Sequence, residues 1–466
     1  MARTPPRPGL DVPPGVLDVD PERLRALGHW VVDRTIEHLT TMRERPALTV
    51  ADHDVLRAAL GGPLPTAPGD IEADLALLAD VALEHQQHGD HPRYFARVPG
   101  PSSYAAVLGD WLATGMQAIA SSWGGGSGTA TLELVVLDWI REALGLPEGT
   151  AGVLLSGGSM ASITALITAR AERGPGVLYL CDQTHSSIKR GALAIGWPVA
   201  QIRVLPTDDG FRLDADVLRA AVEADVAAGL TPTVVVATAG TTNTGAIDDL
   251  IAIAAIAREH GMWLHVDGAY GGPAAFSCGR HGISGLELAD SFVLDPHKWL
   301  FQPYDVACLL VREPGALERT FAMHPEYLRD SQDGAVNFHN RGLELTRRAR
   351  AAKLWLTFRT YGLDTIVDAI DRGVALAEHA ETVVEADPRL EVVTPAQVGI
   401  VTFASPSHTD AAHVRAAAAV TQDGFAAVSP TVLRGRTVFR LCTINPRTTT
   451  DDLDQTIDRL AEALEG

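Results

Sequence analysis

Lysine is nearly missing from this chain. The 466 residues hold 38 basic side chains, of which only Lys189, Lys298 and Lys353 are lysines, leaving 35 arginines. A guanidinium stays protonated and cannot act as an amine nucleophile, so any imine chemistry must fall on one of three positions. Cysteine is scarce too. Cys181, Cys278, Cys308 and Cys442 stand far apart without CxxC spacing, which fits reduced thiols and argues against a disulfide framework or a metal site. No uninterrupted run of about 18 apolar residues occurs, and the opening MARTPPRPGLDVPPG lacks the apolar centre of an export signal. A cytoplasmic protein without membrane association is therefore expected. Positive charge is also in deficit, 58 acidic against 38 basic residues. The formal charge of −20 repels phosphate backbones and excludes a general nucleic-acid role. No repeat of solenoid period is visible, and no low-complexity tract follows the first residues.

What is present is a globular mixture, 46% hydrophobic and 21% charged, in a chain long enough for several folded units. Residues 1–19 are rich in Pro and Gly and read as an extended arm. Apolar residues such as Leu24, Leu27, Val31 and Val32 recur at helical spacing, which predicts helices over about 20–44 and 70–88. From about 150 to 312 the pattern changes to short β-branched runs alternating with amphipathic stretches. Val177–Leu180, Ile202–Leu205, Thr233–Ala237, Trp263–Asp267, Ser291–Asp295 and Ala307–Val311 read as strands, and Ile247–His260 reads as a helix stopped at Gly261. That alternation predicts an α/β fold, a largely parallel sheet with helices on both faces. A long helical region, about 344–386, then leads into strands at Glu391–Val393, Ile400–Phe403 and Thr437–Thr443, with helices near 410–421 and 451–464. The expected division is 1–90 for the arm and helical segment, 91–345 for the large domain, and 346–466 for a small α+β domain.

Three segments could carry chemistry at the carboxyl edge of such a sheet, where ligands bind in open α/β folds. In Ser291-Phe-Val-Leu-Asp-Pro-His-Lys-Trp299 an apolar strand ends beside His297 and Lys298. A lysine in an apolar pocket loses solvation of its charged form, so a lowered pKa and a free amine are expected of Lys298. Lys189 and Lys353 sit on helical patterns and are expected to be solvated or phosphate-facing. Trp263-Leu-His-Val-Asp267 ends in a carboxylate and is followed by the small residues of Gly268-Ala-Tyr-Gly-Gly272, which let a flat ligand approach. Asp267 and Lys298 should share one rim, where the carboxylate could favour a protonated pyridine nitrogen. Gly152-Val-Leu-Leu-Ser-Gly-Gly-Ser-Met160 runs into a helical pattern, so Ser156 to Ser159 should lie where N–H groups and the helix dipole suit a phosphate. Thr238-Ala-Gly-Thr-Thr242 adds hydroxyls at the same rim. His185 reads either as an ordinary helix-start histidine or as a flat ring stacking on a cofactor.

Together HPRYFA at 91–96, SGGS at 156–159, DQTHSS at 182–187, HVDGAYGG at 265–272 and DPHKW at 295–299 resemble the group II pyridoxal-phosphate-dependent amino-acid decarboxylases. That family includes the aromatic-L-amino-acid, glutamate and histidine decarboxylases, and the likeness runs in order over roughly residues 20–460. It implies the aspartate-aminotransferase-like fold type I with a mostly parallel seven-stranded sheet. It also implies bound pyridoxal 5′-phosphate, an amino-acid substrate, and a homodimer with active sites at the subunit interface. By motif, Lys298 resembles the Schiff-base lysine, Asp267 the partner of the pyridine nitrogen, and His185 the residue stacked on the ring. Gly158, Ser159, Thr242, Ala269 and His297 match positions around the phosphate and cofactor. The implied reaction is decarboxylation of an L-amino acid, with aromatic side chains favoured by overall likeness, through a quinonoid that is then reprotonated.

The chain departs from the family pattern in places that bear on the product. Counting back from RRARAAKLW, Phe338 falls where aromatic decarboxylases carry a loop tyrosine that acts in reprotonation. Either another donor, such as His185, Tyr327 or water, supplies the proton, or oxygen intercepts the electron-rich carbon and the product is an aldehyde. The glycine-rich Ser122-Trp-Gly-Gly-Gly-Ser127 points to a roomier pocket beside Trp123. Arg97 stands where aromatic members place an aromatic ring and could pair with an acidic substrate group, or be a plain surface arginine. A transaminase or other lyase using the same cofactor, and a silent homologue, remain the alternatives.

Overall fold

Asp20 accepts hydrogen bonds from the N–H groups of Glu22 and Arg23, and Pro21 takes the first helical position, so α1 (Pro21–Thr40) starts on a strong signal. Asp52 and Asp70 cap α2 (His53–Leu60) and α3 (Ile71–Leu77) in the same way, and α3 runs on into one wider turn at Leu78–Ala82. The computed structural model describes residues 20–323 and 335–466, in two compact units that meet in sequence at Gln87 and His88. Among the described residues of the first unit, Leu27, Met42 and Ala47 are the buried apolar residues, while Leu24, Trp30, Val31, Ile36 and Leu83 are exposed.

The second unit is built on a seven-stranded sheet. Its strands are β1 (Ala151–Leu155), β2 (Val177–Cys181), β3 (Ile202–Leu205), β4 (Pro232–Thr238), β5 (Trp263–Asp267), β6 (Ser291–Leu294) and β7 (Ala307–Val311), in the order β1-β7-β6-β5-β4-β2-β3. Neighbours run parallel except where β7 meets β1 and β6. Every residue of β2, β4, β5, β6 and β7 is buried, the mark of a sheet covered on both faces. The helices are α4 (Tyr104–Gly115), α5 (Trp123–Ala143), α6 (Gly158–Arg173), α7 (Ser186–Ala194), α8 (Ala215–Ala227), α9 (Leu250–Glu259), the single turn α10 (Pro296–Trp299), α11 (Ala316–Phe321) and the long α12 (Ala351–Ala386). A four-stranded antiparallel sheet follows, in the order β10-β11-β9-β8. It comprises β8 (Glu391–Gln397), β9 (Ile400–Ala404), β10 (Ser429–Leu433) and β11 (Arg436–Cys442), with α13 (Asp410–Gln422) and α14 (Thr450–Glu465).

Two differences from the sequence reading bear on the site. The glycines of Ser122–Ser127 do not form an open pocket segment; they begin α5. Ser122 caps the N–H of Gly125, and at Gly126, where the backbone leaves helical geometry, a side chain would strike the Ile119 carbonyl at 2.3 Å. Edge strand β1, not anticipated as a strand, has its outer polar groups paired by side chains. Glu133 Oε1 accepts the Leu154 N–H at 2.8 Å, Arg347 donates to the Leu154 carbonyl, and Arg341 Nη1 donates to the Gly152 carbonyl at 3.0 Å. The edge is thereby closed to further strand pairing.

Candidate active site

The carboxyl ends of β1, β4, β5 and β6 deliver their next residues to one cavity of about 530 Å³. β5 ends at Asp267, whose Oδ1 accepts the Ala269 N–H at 3.0 Å, so the small-residue turn that follows fixes the carboxylate. β6 ends at Leu294, and the Pro296 turn brings His297 and Lys298 into the cavity wall. β1 leads into α6 through Gly157, which caps the helix without a side chain, so the first N–H groups of α6 keep their donor capacity. His185 heads α7. Its Nδ1 accepts the Ser187 N–H at 3.3 Å and lies 2.7 Å from Ser187 Oγ, so it is a helix-start histidine and also part of the cavity wall.

Lys298, Asp267, His185, Gly158, Ser159, Thr242, Ala269, His297 and Arg97 all line this space. Trp123 and Phe338 do not. Tyr327 lies outside the described residues. Trp123 is absent from the lining; it opens α5, and its backbone N–H donates to Asn337 Oδ1 at 2.9 Å. Phe338 is fully buried under the guanidinium groups of Arg347 and Arg341, 5.0 and 5.4 Å from its ring, so it too is absent from the lining. Its neighbourhood is apolar and cationic, which suits a ring without a hydroxyl.

Electrostatics revises one expectation. Burial acts to lower the Lys298 pKa, but the Asp295 carboxylate, with Oδ2 2.8 Å from Nζ, and then Asp267 outweigh it and hold the ammonium above its ordinary value. The amine is therefore not freed by an apolar pocket; it is held as a cation by a neighbour to which the sequence reading gave no role. Desolvation lowers the His185 pKa against the opposing pull of Asp267. Burial likewise lowers His297, whose Nδ1 accepts the Val306 N–H at 3.1 Å, which places the ring proton on Nε2 when the ring is neutral. Lys353 is a second correction. It is buried rather than solvated, donating to the Pro303 carbonyl at 2.8 Å and lying 3.4 Å from Asp110.

Several lining residues had no role in the sequence reading: Val98, Gln183, Tyr270 and Asp295. Asp295 stands inside the DPHKW motif itself, three residues before Lys298, so the spacing was a usable signal. Arg440 on β11 had none. It donates through Nε to the Thr242 carbonyl at 2.8 Å and through Nη1 to the Arg97 carbonyl, and so ties the cavity rim to its mouth.

The profile of the pyridoxal-dependent decarboxylase conserved domain matches residues 65–405. An aromatic-L-amino-acid decarboxylase of Bacillus atrophaeus is 40% identical over 455 residues, covering 94% of this chain and 95% of the relative. A phenylacetaldehyde synthase of a Rosa hybrid cultivar is 33% identical over 411 residues, covering 84% and 81%. The crystal structure of Oryza sativa TDC with PLP and tryptamine superposes with a TM-score of 0.92 at 29% identity, covering 97% of this chain and 99% of that one. The chain belongs to the pyridoxal-dependent decarboxylase family, with the fold type I architecture. Its cofactor is pyridoxal 5′-phosphate, and it is a carboxy-lyase acting on an amino acid.

The cavity fits that cofactor on its own terms. It offers an amine, a carboxylate fixed at a strand end, a flat imidazole, and uncapped N–H groups at the head of α6. Gly158 is needed there, since a methyl group on it would crowd the Ala269 methyl at 3.1 Å and the Asp295 carboxylate more closely still. Among the described residues no group of three or more His, Cys, Asp or Glu could hold a metal, and no helix is long and apolar enough to cross a membrane.

Proposed function

We propose that the protein releases carbon dioxide from an aromatic L-amino acid and forms the corresponding amine, with Lys298 carrying the cofactor. The observation that carries this reading is the meeting of Lys298, Asp267 and His185 around one cavity with the head of α6. Bound pyridoxal 5′-phosphate supplies an aldehyde that takes an amine and a ring that accepts the electron pair left when carbon dioxide departs. Lys298 Nζ anchors the cofactor and yields its place to the substrate amine. Asp267 favours a proton on the pyridine nitrogen, which keeps the ring electron-poor. His185, biased toward the neutral form, covers the ring without adding charge. The N–H groups at Gly158 and Ser159, with Thr242 and His297, take the phosphate end. Arg97, exposed at the mouth with its backbone pinned by Ser429 Oγ at 3.1 Å and by Arg440, meets the outer part of the substrate.

The aromatic preference rests on the relatives, chiefly the 40% identical aromatic-L-amino-acid decarboxylase. A homodimer in the cytoplasm completes the reading. Among the described residues, Leu24, Trp30, Val31 and Ile36 of α1 are exposed apolar side chains that a second copy would shield. Trp123, which the family resemblance sets beside substrate, lies outside this chain's own cavity, as expected if a second copy brings its equivalent there.

One observation favours a second product. A phenylacetaldehyde synthase is among the relatives, so an oxidative branch is the second reading. In that branch dioxygen takes the electron pair, and aldehyde, ammonia and hydrogen peroxide replace the amine. Simultaneous measurement of carbon dioxide, amine, aldehyde and peroxide over a panel of amino acids tests both. Stoichiometric amine without peroxide from an aromatic substrate is the expected result. Peroxide matching carbon dioxide would establish the oxidative branch, and turnover confined to non-aromatic substrates would overturn the preference.

A further inference from the structure

Asp295 caps the short turn that presents Lys298. Its side chain is 2% exposed, with Oδ2 2.8 Å from Lys298 Nζ and 3.6 Å from His297 Nε2, while Oδ1 is buried with no hydrogen-bond partner. The same carboxylate lies against the head of α6, where a methyl group on Gly158 would come within 2.8 and 3.0 Å of its two oxygens. An anion with one unsatisfied oxygen is thus stationed where uncapped helix N–H groups invite another anion.

We propose that Asp295 and the cofactor phosphate share a proton: docking of the phosphate ester takes one proton from solvent and holds it between an Asp295 carboxyl oxygen and a phosphate oxygen. The proposal rests on the placement of the phosphate at the head of α6 given above. Two anions in hydrogen-bond reach inside a buried site do not both stay ionised, and a charge-assisted O–H···O⁻ bond satisfies the oxygen that now lacks a partner. The cofactor then enters as an anion into a site that already holds one, without a net pair of repelling charges.

The titratable groups around Asp295 come from several elements. Lys298 and His297 stand on its own turn, Asp267 comes from β5, His185 from the head of α7, and Cys308 from β7. Burial lowers both imidazoles, and burial raises the Cys308 thiol, which stays protonated. Lys298 is already a cation.

The test uses the full-length apoprotein, titrated near pH ~7 in weak buffer with saturating pyridoxal 5′-phosphate and, separately, with pyridoxal, which has the aldehyde but no phosphate. A pH-stat should record about one more proton taken up per site with the phosphate ester than with pyridoxal. The excess should vanish in Asp295→Asn. Wild-type affinity for the phosphate ester should fall as pH rises above ~7, approaching about tenfold per unit, while that of the variant stays flat. Equal uptake for the two ligands, or an excess that survives in Asp295→Asn, overturns the proposal. Should the variant fail to fold by circular dichroism, the wild-type comparison of the two ligands still decides. Borohydride reduction of the same samples separates the two levels of failure. Label on a residue other than Lys298 rejects the cofactor placement, whereas label on Lys298 with no excess proton rejects only the role of Asp295.

Discussion

Two buried ion pairs in this protein have opposite characters. Glu133 and Arg347, with side chains 0% and 1% exposed, sit at the edge of β1. Glu133 accepts from Arg347 through both oxygens and from the Leu154 N–H, and Arg347 also donates to the Ala120 and Leu154 carbonyls; Nε alone lacks a hydrogen bond, 3.9 Å from Glu344. Asp295 and Lys298 face a cavity, and both the carboxylate and the ammonium keep capacity to spare. A charge pair whose partners are nearly all protein groups fixes architecture. One left partly unsatisfied beside empty space is available for chemistry.

The largest effect that would sharpen this contrast is expected at Lys298. Lys298→Ala should abolish turnover and the borohydride-reducible chromophore while the fold persists; a chromophore that survives unchanged would move the anchor to another residue. Arg347→Met should act on the other side of the comparison. It strands a buried carboxylate, so a loss of roughly 3–5 kcal/mol in denaturant-measured stability is expected, with Glu133→Gln restoring part of it in the double variant. A change below about 1 kcal/mol would mean that water reaches Glu133.

A titrating core residue gives the next effect. His265 is fully buried, and burial pushes its pKa down to about 4 from an ordinary 6.5. The unfolded chain therefore binds the proton first. The stability that neutral His265 contributes is present above pH 6.5 and is lost as pH falls toward about 4, on the order of 3 kcal/mol over that window. Asp248, raised by burial to about 6 from 3.8, works in the opposite direction, so the difference between wild type and His265→Gln isolates the effect. Parallel stability curves for the two proteins between pH 4 and 6.5 would dismiss it. The smallest effect is expected at Lys353. Lys353→Met replaces one long stem by another and leaves Asp110 paired with Arg348 at 3.1 Å, so stability should change by less than about 1 kcal/mol, with turnover kept. Loss of turnover there would erase the distinction between the two buried lysines.

The sheet was legible because its strands announce themselves. Trp263–Asp267 and Ala307–Val311 are apolar runs ended by a polar residue or a turn, and the strands formed with those bounds. β10, Ser429–Leu433, was not, since its alternation is half exposed and carries a proline. Helices α4 and α5 were missed because glycine and serine interrupt their apolar spacing. At the site, Lys298 and Asp267 could be named from their strand-end positions, and His185 only through the family resemblance. The state of the Lys298 amine could not, because it depends on a carboxylate three residues away folding back onto it rather than outward.

The sequence by itself determined the chemistry on offer. With three lysines in the chain, one of them at the end of an apolar strand, the choice of an imine-forming residue was narrow, and the motifs in order defined the family. Tertiary structure alone decided which charges face one another. Whether Lys298 carries a proton, whether Phe338 meets substrate or arginine, and whether Arg440 touches the rim all depend on distances between segments far apart in the chain. Electrostatic energy varies with those distances and with burial, neither of which local residue order contains.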